Sequence, residues 1–338
     1  MDTLILQQPG EFVFTQSEAP AEPAPHEAIV RVRRIGICGT DIHAFLGHQP
    51  FLRYPRILGH ELGVEVVQVG AETRGVRVGD RCAVRPYLHC GRCVACRRGK
   101  TNCCVRLEVL GVHMDGGMRE YMAVPADNLH RSEKLSLDQL ALVETLCIGA
   151  HSVGRSGLAA GDVVLVIGAG PIGLAVTTFA LLAGATVLVA DISTARLAFC
   201  RERLGVAHTL DASTDLLLPL EEITSGDLPT TVFDATGNAA SMIKAFDYVA
   251  HGGTLVMVGL VQADICFPDP LLHRKELSVL SSRNATAADF ERVLRLFEEG
   301  KIDVAPWITH RAGLRALPDV FAGWLAPGSG VVKAVVEA

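Results

Sequence analysis

The stretch from Asp162 to Asp191, DVVLVIGAGPIGLAVTTFALLAGATVLVAD, decides the fold. The apolar run Val163 to Ile167 meets Gly168, Gly170 and Gly173, small and apolar residues follow at helical spacing, and Thr186 to Ala190 returns as a second run ending on an acid. That punctuation reads as a strand, a helix and a parallel strand. Gly168 permits the tight turn out of the first strand, Gly170 lets backbone N–H groups approach a pyrophosphate, and Gly173 lets the helix pack on its strand. Pro171 and Ile172 open that helix, whose N-terminus offers unpaired donors and partial positive charge. Asp191, 23 positions after Gly168, stands where a carboxylate can accept hydrogen bonds from both hydroxyls of an adenosine ribose. A 2′-phosphate would meet like charge there, so the expected cofactor is NAD rather than NADP. Arg196, one turn into the next helix, either stacks on adenine or is an ordinary exposed helix arginine.

At 338 residues and 36.0 kDa the chain is long enough for two domains. Apolar residues make up 49% and mean hydropathy is +0.31, yet 33 glycines break the runs. None reaches the ~18 uninterrupted apolar residues of a membrane span, so no membrane partner is expected. The N-terminal MDTLILQQPGEF has no basic segment followed by an apolar one, which predicts no signal peptide and a cytoplasmic protein. A net charge of −6 argues against nucleic acid as the main partner. Half of the 10 cysteines fall between Cys90 and Cys104, the pattern of a metal site in a reducing compartment rather than a disulfide scaffold.

From the N-terminus, strand-like Thr3 to Gln7 and Glu27 to Arg33 flank a connection holding Pro20, Pro23 and Pro25. In the following IGICGTDIHAFLGH, Cys38 is joined by Thr40, Asp41 and His43. Alone, Cys38 would read as a buried structural cysteine. Gly59-His60-Glu61 downstream adds an imidazole and an acid, and Cys, His and acid together suit zinc. After short strands with glycine turns, Cys90, Cys93 and Cys96 stand at CxxC spacing, with Cys103 and Cys104 beyond them. Four thiolates close a tetrahedral zinc site and leave no place for substrate, so this site is structural; either Cys103 or Cys104 can be the fourth ligand. Next come a strand over Arg119 to Val124 and a helix, SLDQLALVE, with Ser136 as N-cap and Glu144 at its end. A carboxylate in such apolar surroundings needs a partner, and a metal is one.

Past Asp191 the pattern predicts a helix over Thr194 to Leu204, a strand ending at Asp234, a helix near Ala240 to Val249, and a strand over 254–260. Repeated βα units of this kind build a doubly wound parallel sheet with its ligand at the carboxyl ends of the strands. Val258, Gly259 and Leu260 lie at such an end, where Gly259 either brings the backbone to a nicotinamide ring or makes an ordinary turn. LSVLSSRNAT reads as the last strand, Ala288 to Glu299 as an amphipathic helix, and GSGVVKAVVEA as a strand returning to a then discontinuous first domain.

Together, Cys38-Gly-Thr-Asp, Gly59-His60-Glu61, the cysteines from 90 to 104, Val143-Glu144, and Gly168 to Gly173 with Asp191 resemble the zinc-dependent medium-chain dehydrogenase/reductase family over the whole chain. The resemblance implies an α/β protein with a GroES-like β-barrel catalytic domain (1–146), a Rossmann domain (147–282) and a C-terminal return (283–338). It implies Cys104 as the fourth structural ligand. It also implies a catalytic zinc held by Cys38 and His60, with Glu61 and Glu144 bound directly or through water, and Cys147 as a packing residue. An acid at Glu144 places the chain in the sorbitol and threonine dehydrogenase branch, and HRKELSVLSSRNATAADFERVL is similar to bacterial members acting on sugar acids, such as L-galactonate dehydrogenases. There Ser282 would contact cofactor, and Arg283 and Asn284 the substrate. Ala44 and Thr145 depart from the sorbitol dehydrogenase pattern, which speaks against sorbitol itself. The implied reaction oxidises a secondary alcohol to a ketone with hydride transfer to NAD. Thr40 would receive the proton and pass it, by way of the nicotinamide ribose, to His43, unless His43 only packs on cofactor. Relatives of this kind form homodimers or homotetramers.

Overall fold

The computed structural model describes residues 1–338, which divide into two compact units: Met1–Thr145 with Ala285–Ala338, and Leu146–Asn284. In the second unit six parallel strands lie in the order His208–Asp211, Thr186–Asp191, Val163–Ile167, Thr231–Asp234, Thr254–Met257 and Ser278–Ser281. The chain starts at the middle, on Val163–Ile167, works outward to His208–Asp211, then crosses back to Thr231–Asp234 and works outward the other way. The carboxyl ends of Val163–Ile167 and Thr231–Asp234 therefore form the switch point, where doubly wound sheets bind ligands. Apolar residues inside the strands, among them Leu165, Ile167, Leu188, Val232 and Leu255, pack with Phe246 and Val249. Two elements had no clear signal in the sequence: the strand His208–Asp211, half-exposed and polar at both ends, and the short helix Leu217–Ile223.

The first unit is built on a mainly antiparallel sheet in the order Ile308–Gly313, Lys333–Glu337, Glu27–Gly36, Glu61–Val69, Arg81–Val84 and Leu129–Arg131, with Tyr121–Pro125 also paired to Glu27–Gly36. Alternate residues of these strands, Val30, Val32, Leu62, Val64 and Val336 among them, fill the core with Leu4, Leu6 and Phe321. The C-terminal strand lies between Ile308–Gly313 and Glu27–Gly36, so the last residues complete the sheet that begins near the N-terminus. The N-terminal strand has a partner that the sequence reading passed over: Asp2–Gln8 forms a hairpin with Glu11–Gln16.

Three expectations change. The helix expected to end at Glu144 runs from Leu137 to Ser156, because Thr145-Leu-Cys-Ile offers no stop signal, and Glu144 is mid-helix. Gly149 is tolerated in it because a Cβ there would lie 2.5 Å from the Ala175 backbone, a contact that only glycine permits. The first boundary between units falls inside this helix, so Leu146 belongs to the second unit; Arg283 and Asn284, expected in the C-terminal return, also lie there. The strand expected over 254–260 stops at Met257. No helix is long and apolar enough to cross a membrane.

Candidate active site

Cys38 follows the strand Glu27–Gly36, and the short helix Gly39–Phe45 carries Thr40, Asp41 and His43. Across the sheet, His60 precedes the strand that opens on Glu61. Asp41, fully buried, joins the two loops: its carboxylate accepts from the Cys38 N–H at 2.9 Å and from the Gly59 N–H at 3.3 Å. One ligand atom each of Cys38, His60 and Glu61 lies within 4.8 Å of the others. His60 is 5% exposed, and its Nδ1 has no hydrogen-bond partner, the nearest acid being Asp41 at 3.9 Å. Burial opposes a charged His60, but Cys38 above all, then Asp41 and Glu144, outweigh it and hold its pKa well above the usual imidazole value. The surroundings favour positive charge at this point, which suits a cation. Thr40 is half-buried, and His43, one turn further along the same helix, is exposed.

Two buried carboxylates meet different partners. Glu61 pairs with Lys333, whose Nζ lies 2.6 and 2.5 Å from its two oxygens, and each residue is 0–1% exposed. Burial alone would neutralise the lysine; Glu61, then Cys38, raise its pKa instead. A Cβ on residue 36 would lie 2.1 Å from the Glu61 Oε2, so a larger residue there would have to displace this carboxylate. Glu144, 5% exposed, accepts a hydrogen bond at Oε1 from the Tyr87 phenol. Burial raises the Glu144 pKa, while His60 and Tyr87 act against that rise. With Cys38 as thiolate and Asp41, Glu61 and Glu144 buried close by, anionic groups outnumber the single Lys333 ammonium, and a cation would offset the excess. Sequence reasoning missed Lys333 and Tyr87. The one available signal was a lysine opening a final strand whose next three residues are apolar.

The four thiols of Cys90, Cys93, Cys96 and Cys104 also lie within 4.8 Å of one another. Cys104 is thus the fourth member, while Cys103 is exposed and outside the group. Backbone N–H groups of Cys90 and Arg106 donate to the Cys104 Sγ, each at 3.3 Å. Donors from Cys96 and Val105 lower the Cys93 pKa to about 6, whereas burial and the neighbouring thiols push Cys96 up to about 12, so the four thiols share protons that a zinc ion would displace. Cys147, buried in its helix, belongs to neither group.

At the nucleotide end, Gly168 takes φ +95°, and a Cβ on Gly173 would stand 1.7 Å from the Gly168 carbonyl oxygen. A Cβ on Gly170 would meet only the Arg196 Nη1, at 3.9 Å, so the space over this glycine is open. The helix Pro171–Leu182 starts directly after it. Asp191, 6% exposed, accepts from the Ala169 N–H at 2.6 Å and the Ser193 N–H at 2.8 Å, and Arg196 stands 4.0 Å from it. Gly259 has a structural reason to be glycine: a Cβ would lie 2.4 Å from the Gly237 nitrogen. Val258 and Gly259 both donate to the Asp234 carbonyl, and Leu260 is 65% exposed. The Ser282 Oγ and Asn284 Nδ2 are buried without partners, and Asn284 has φ +53°, a conformation that costs a non-glycine residue energy. Arg283 between them is exposed.

Residues 24–134 match the family model described as the alcohol dehydrogenase GroES-like domain, and residues 171–299 match that described as zinc-binding dehydrogenase. The L-galactonate-5-dehydrogenase of Escherichia coli K12 is 42% identical over 336 residues, 99% of this chain and 98% of the relative. A sorbitol dehydrogenase of Halalkalibacterium halodurans is 32% identical over 318 residues, 92% of each chain. Among solved structures, an alcohol dehydrogenase of Escherichia coli CFT073 complexed with NADH superposes with a TM-score of 0.93 at 31% identity, covering 100% of this chain and 99% of that one.

Proposed function

We infer the reaction from one premise: this chain belongs to the zinc-dependent alcohol dehydrogenase family. It is a zinc- and NAD-dependent dehydrogenase, and it oxidises a secondary hydroxyl of a sugar acid or polyol, L-galactonate-like in chemistry, to a ketone. The observation that carries this reading is the Cys38, His60 and Glu61 group at ligand spacing, braced by Asp41.

Cys38 and His60 would hold the catalytic zinc, with Glu61 and Glu144 beside it. Cys90, Cys93, Cys96 and Cys104 would hold the structural one. Bound zinc supplies a Lewis acid that makes an alcohol acidic near neutral pH, and NAD supplies the hydride acceptor. The chain's own groups do the rest. The Thr40 hydroxyl takes the alcohol proton, and the exposed His43 releases it to solvent. Gly168, Gly170, Pro171, Ile172 and Gly173 shape the pyrophosphate cradle, Asp191 receives the ribose hydroxyls, and Arg196 stands beside them. Val258, Gly259, Leu260 and Ser282 border the cofactor. The Arg283 guanidinium pairs with a substrate carboxylate, and Asn284 donates to a substrate hydroxyl. Ten free thiols support a reducing, cytoplasmic setting. The unpaired edge of Ser278–Ser281 supports a homo-oligomer, dimer or tetramer.

The test is elemental analysis alongside turnover. Wild-type protein should carry two zincs per chain and reduce NAD with a member of a panel of aldonates, polyols and L-threonine. Cys38→Ala should carry one zinc, bind NAD normally and turn over at least ~10³-fold more slowly. Unchanged zinc content in Cys38→Ala, or no NAD reduction across the panel, would overturn the reading.

A further inference from the structure

Tyr87 occupies a place between the two cysteine-containing groups that the reaction above does not use. Strands Tyr87–Leu88 and Glu108–Val109 pair antiparallel, with Tyr87 opposite Val109, so everything from His89 to Leu107 is a lobe closed at its base by this ribbon. The lobe has little core of its own. It contains one four-residue helix and one 3₁₀ turn, and Val94 and Val105 are exposed. The four clustered thiols are what can hold its ends together, and Cys90 is only three residues beyond Tyr87.

The base of the lobe is fixed on its other side. The Tyr87 carbonyl accepts from the Arg85 guanidinium at 3.1 Å and from the Asn128 side chain at 3.2 Å. Its ring is 2% exposed, and its phenol donates to the Glu144 Oε1. Backbone and ring are both immobilised, so the hydroxyl has one direction. It commits one oxygen of Glu144, the buried acid whose charge acts on His60.

We propose that Tyr87 is a positioning residue for the catalytic centre, and that the four-cysteine lobe acts on the reaction through it by closing the ribbon that aims the phenol at Glu144. The inference rests on the reading that Cys38 and His60 hold the catalytic metal. Hydrogen-bond partners one step behind metal ligands commonly change metal affinity or activity about 10–100-fold, which sets the size of the effect.

The test uses full-length protein carrying zinc for kinetics and Co(II) for spectroscopy, where the visible bands lost in Cys38→Ala report the catalytic site. In Tyr87→Phe, which keeps the ring and removes the hydroxyl, those bands should shift and kcat should fall about 10–100-fold with NAD affinity unchanged. Cys96→Ser should shift the same bands in the same direction, and adding Tyr87→Phe to it should shift them no further. If Cys96→Ser does not fold, Asn128→Ala, which removes one of the two donors that fix the Tyr87 carbonyl at the base of the lobe, takes its place. Wild-type bands and kcat in Tyr87→Phe would overturn the role of Tyr87, and additive shifts in the double variant would overturn the link to the lobe. If Cys38→Ala removes no bands, the underlying metal assignment fails and this inference falls with it. Bands lost in Cys38→Ala but unmoved in Tyr87→Phe sink this inference alone.

Discussion

At the scale of single residues, charge is distributed in ways that composition does not disclose. Lys333 and Glu61 are a fully buried ion pair, and such pairs contribute little net stability relative to apolar replacements because desolvation offsets attraction. Breaking one is another matter. Lys333→Met leaves Glu61 buried without its counter-ion and should cost about 3–5 kcal/mol in urea unfolding of metal-free protein. The double variant Lys333→Met with Glu61→Gln should regain part of that loss; equal stability of single variant and wild type would show that Glu61 is satisfied without the lysine. Asp41 illustrates the opposite economy: one carboxylate replaces two lost water contacts with two backbone donors and thereby sets the spacing of Cys38 and His60.

At the scale of elements, the glycine turn after Val163–Ile167 shows how closely a helix can be laid on a strand. The Gly173 α-carbon faces the Gly168 carbonyl oxygen with no room for a methyl group. Gly173→Ala should push the helix Pro171–Leu182 away from the turn, weaken NAD binding at least about 10-fold by titration calorimetry, and cost about 1–3 kcal/mol of stability. Unaltered NAD affinity would mean that the helix N-terminus does not hold the pyrophosphate. The helix Leu137–Ser156 carries the opposite lesson about legibility. Ser136 was readable as its cap, and the Gln139 N–H does donate to the Ser136 Oγ at 3.2 Å, but the true end lay twelve residues past Glu144. Gly149 and Gly154 lie inside that stretch without ending it, so no local mark separated a linker from more helix.

For the whole molecule, stability against acid depends on groups buried in the neutral state. His130 stacks on Phe290 with ring centroids 4.9 Å apart, and its Nε2 is buried without a partner. Burial first, and the Arg85 charge second, lower its pKa to about 4. An unfolded histidine near pH 6.5 binds a proton before the folded one does, so this contribution to stability is intact above about pH 6.5 and is lost as pH falls toward 4. The loss should reach at most about 3 kcal/mol. In His130→Phe the urea midpoint should depend less on pH across that window; an unchanged slope would show that other groups govern acid unfolding.

The sequence by itself determined the βαβ unit with its three glycines and acid and the CxxC thiols Cys90, Cys93 and Cys96, because each is set by spacing along a short length of chain; it left the fourth thiol open between Cys103 and Cys104, and the fold decided the approach of Cys38 to His60 and Glu61. Periodicity and turn chemistry are local, and these motifs needed nothing more. Only the tertiary structure decided what the buried acids touch. Lys333 is 272 residues from Glu61 and Tyr87 is 57 residues from Glu144, and neither pair leaves a pattern in the letters. Burial turned an unremarked lysine and an unremarked tyrosine into partners, because a carboxylate removed from water requires a donor and the fold places these two within reach.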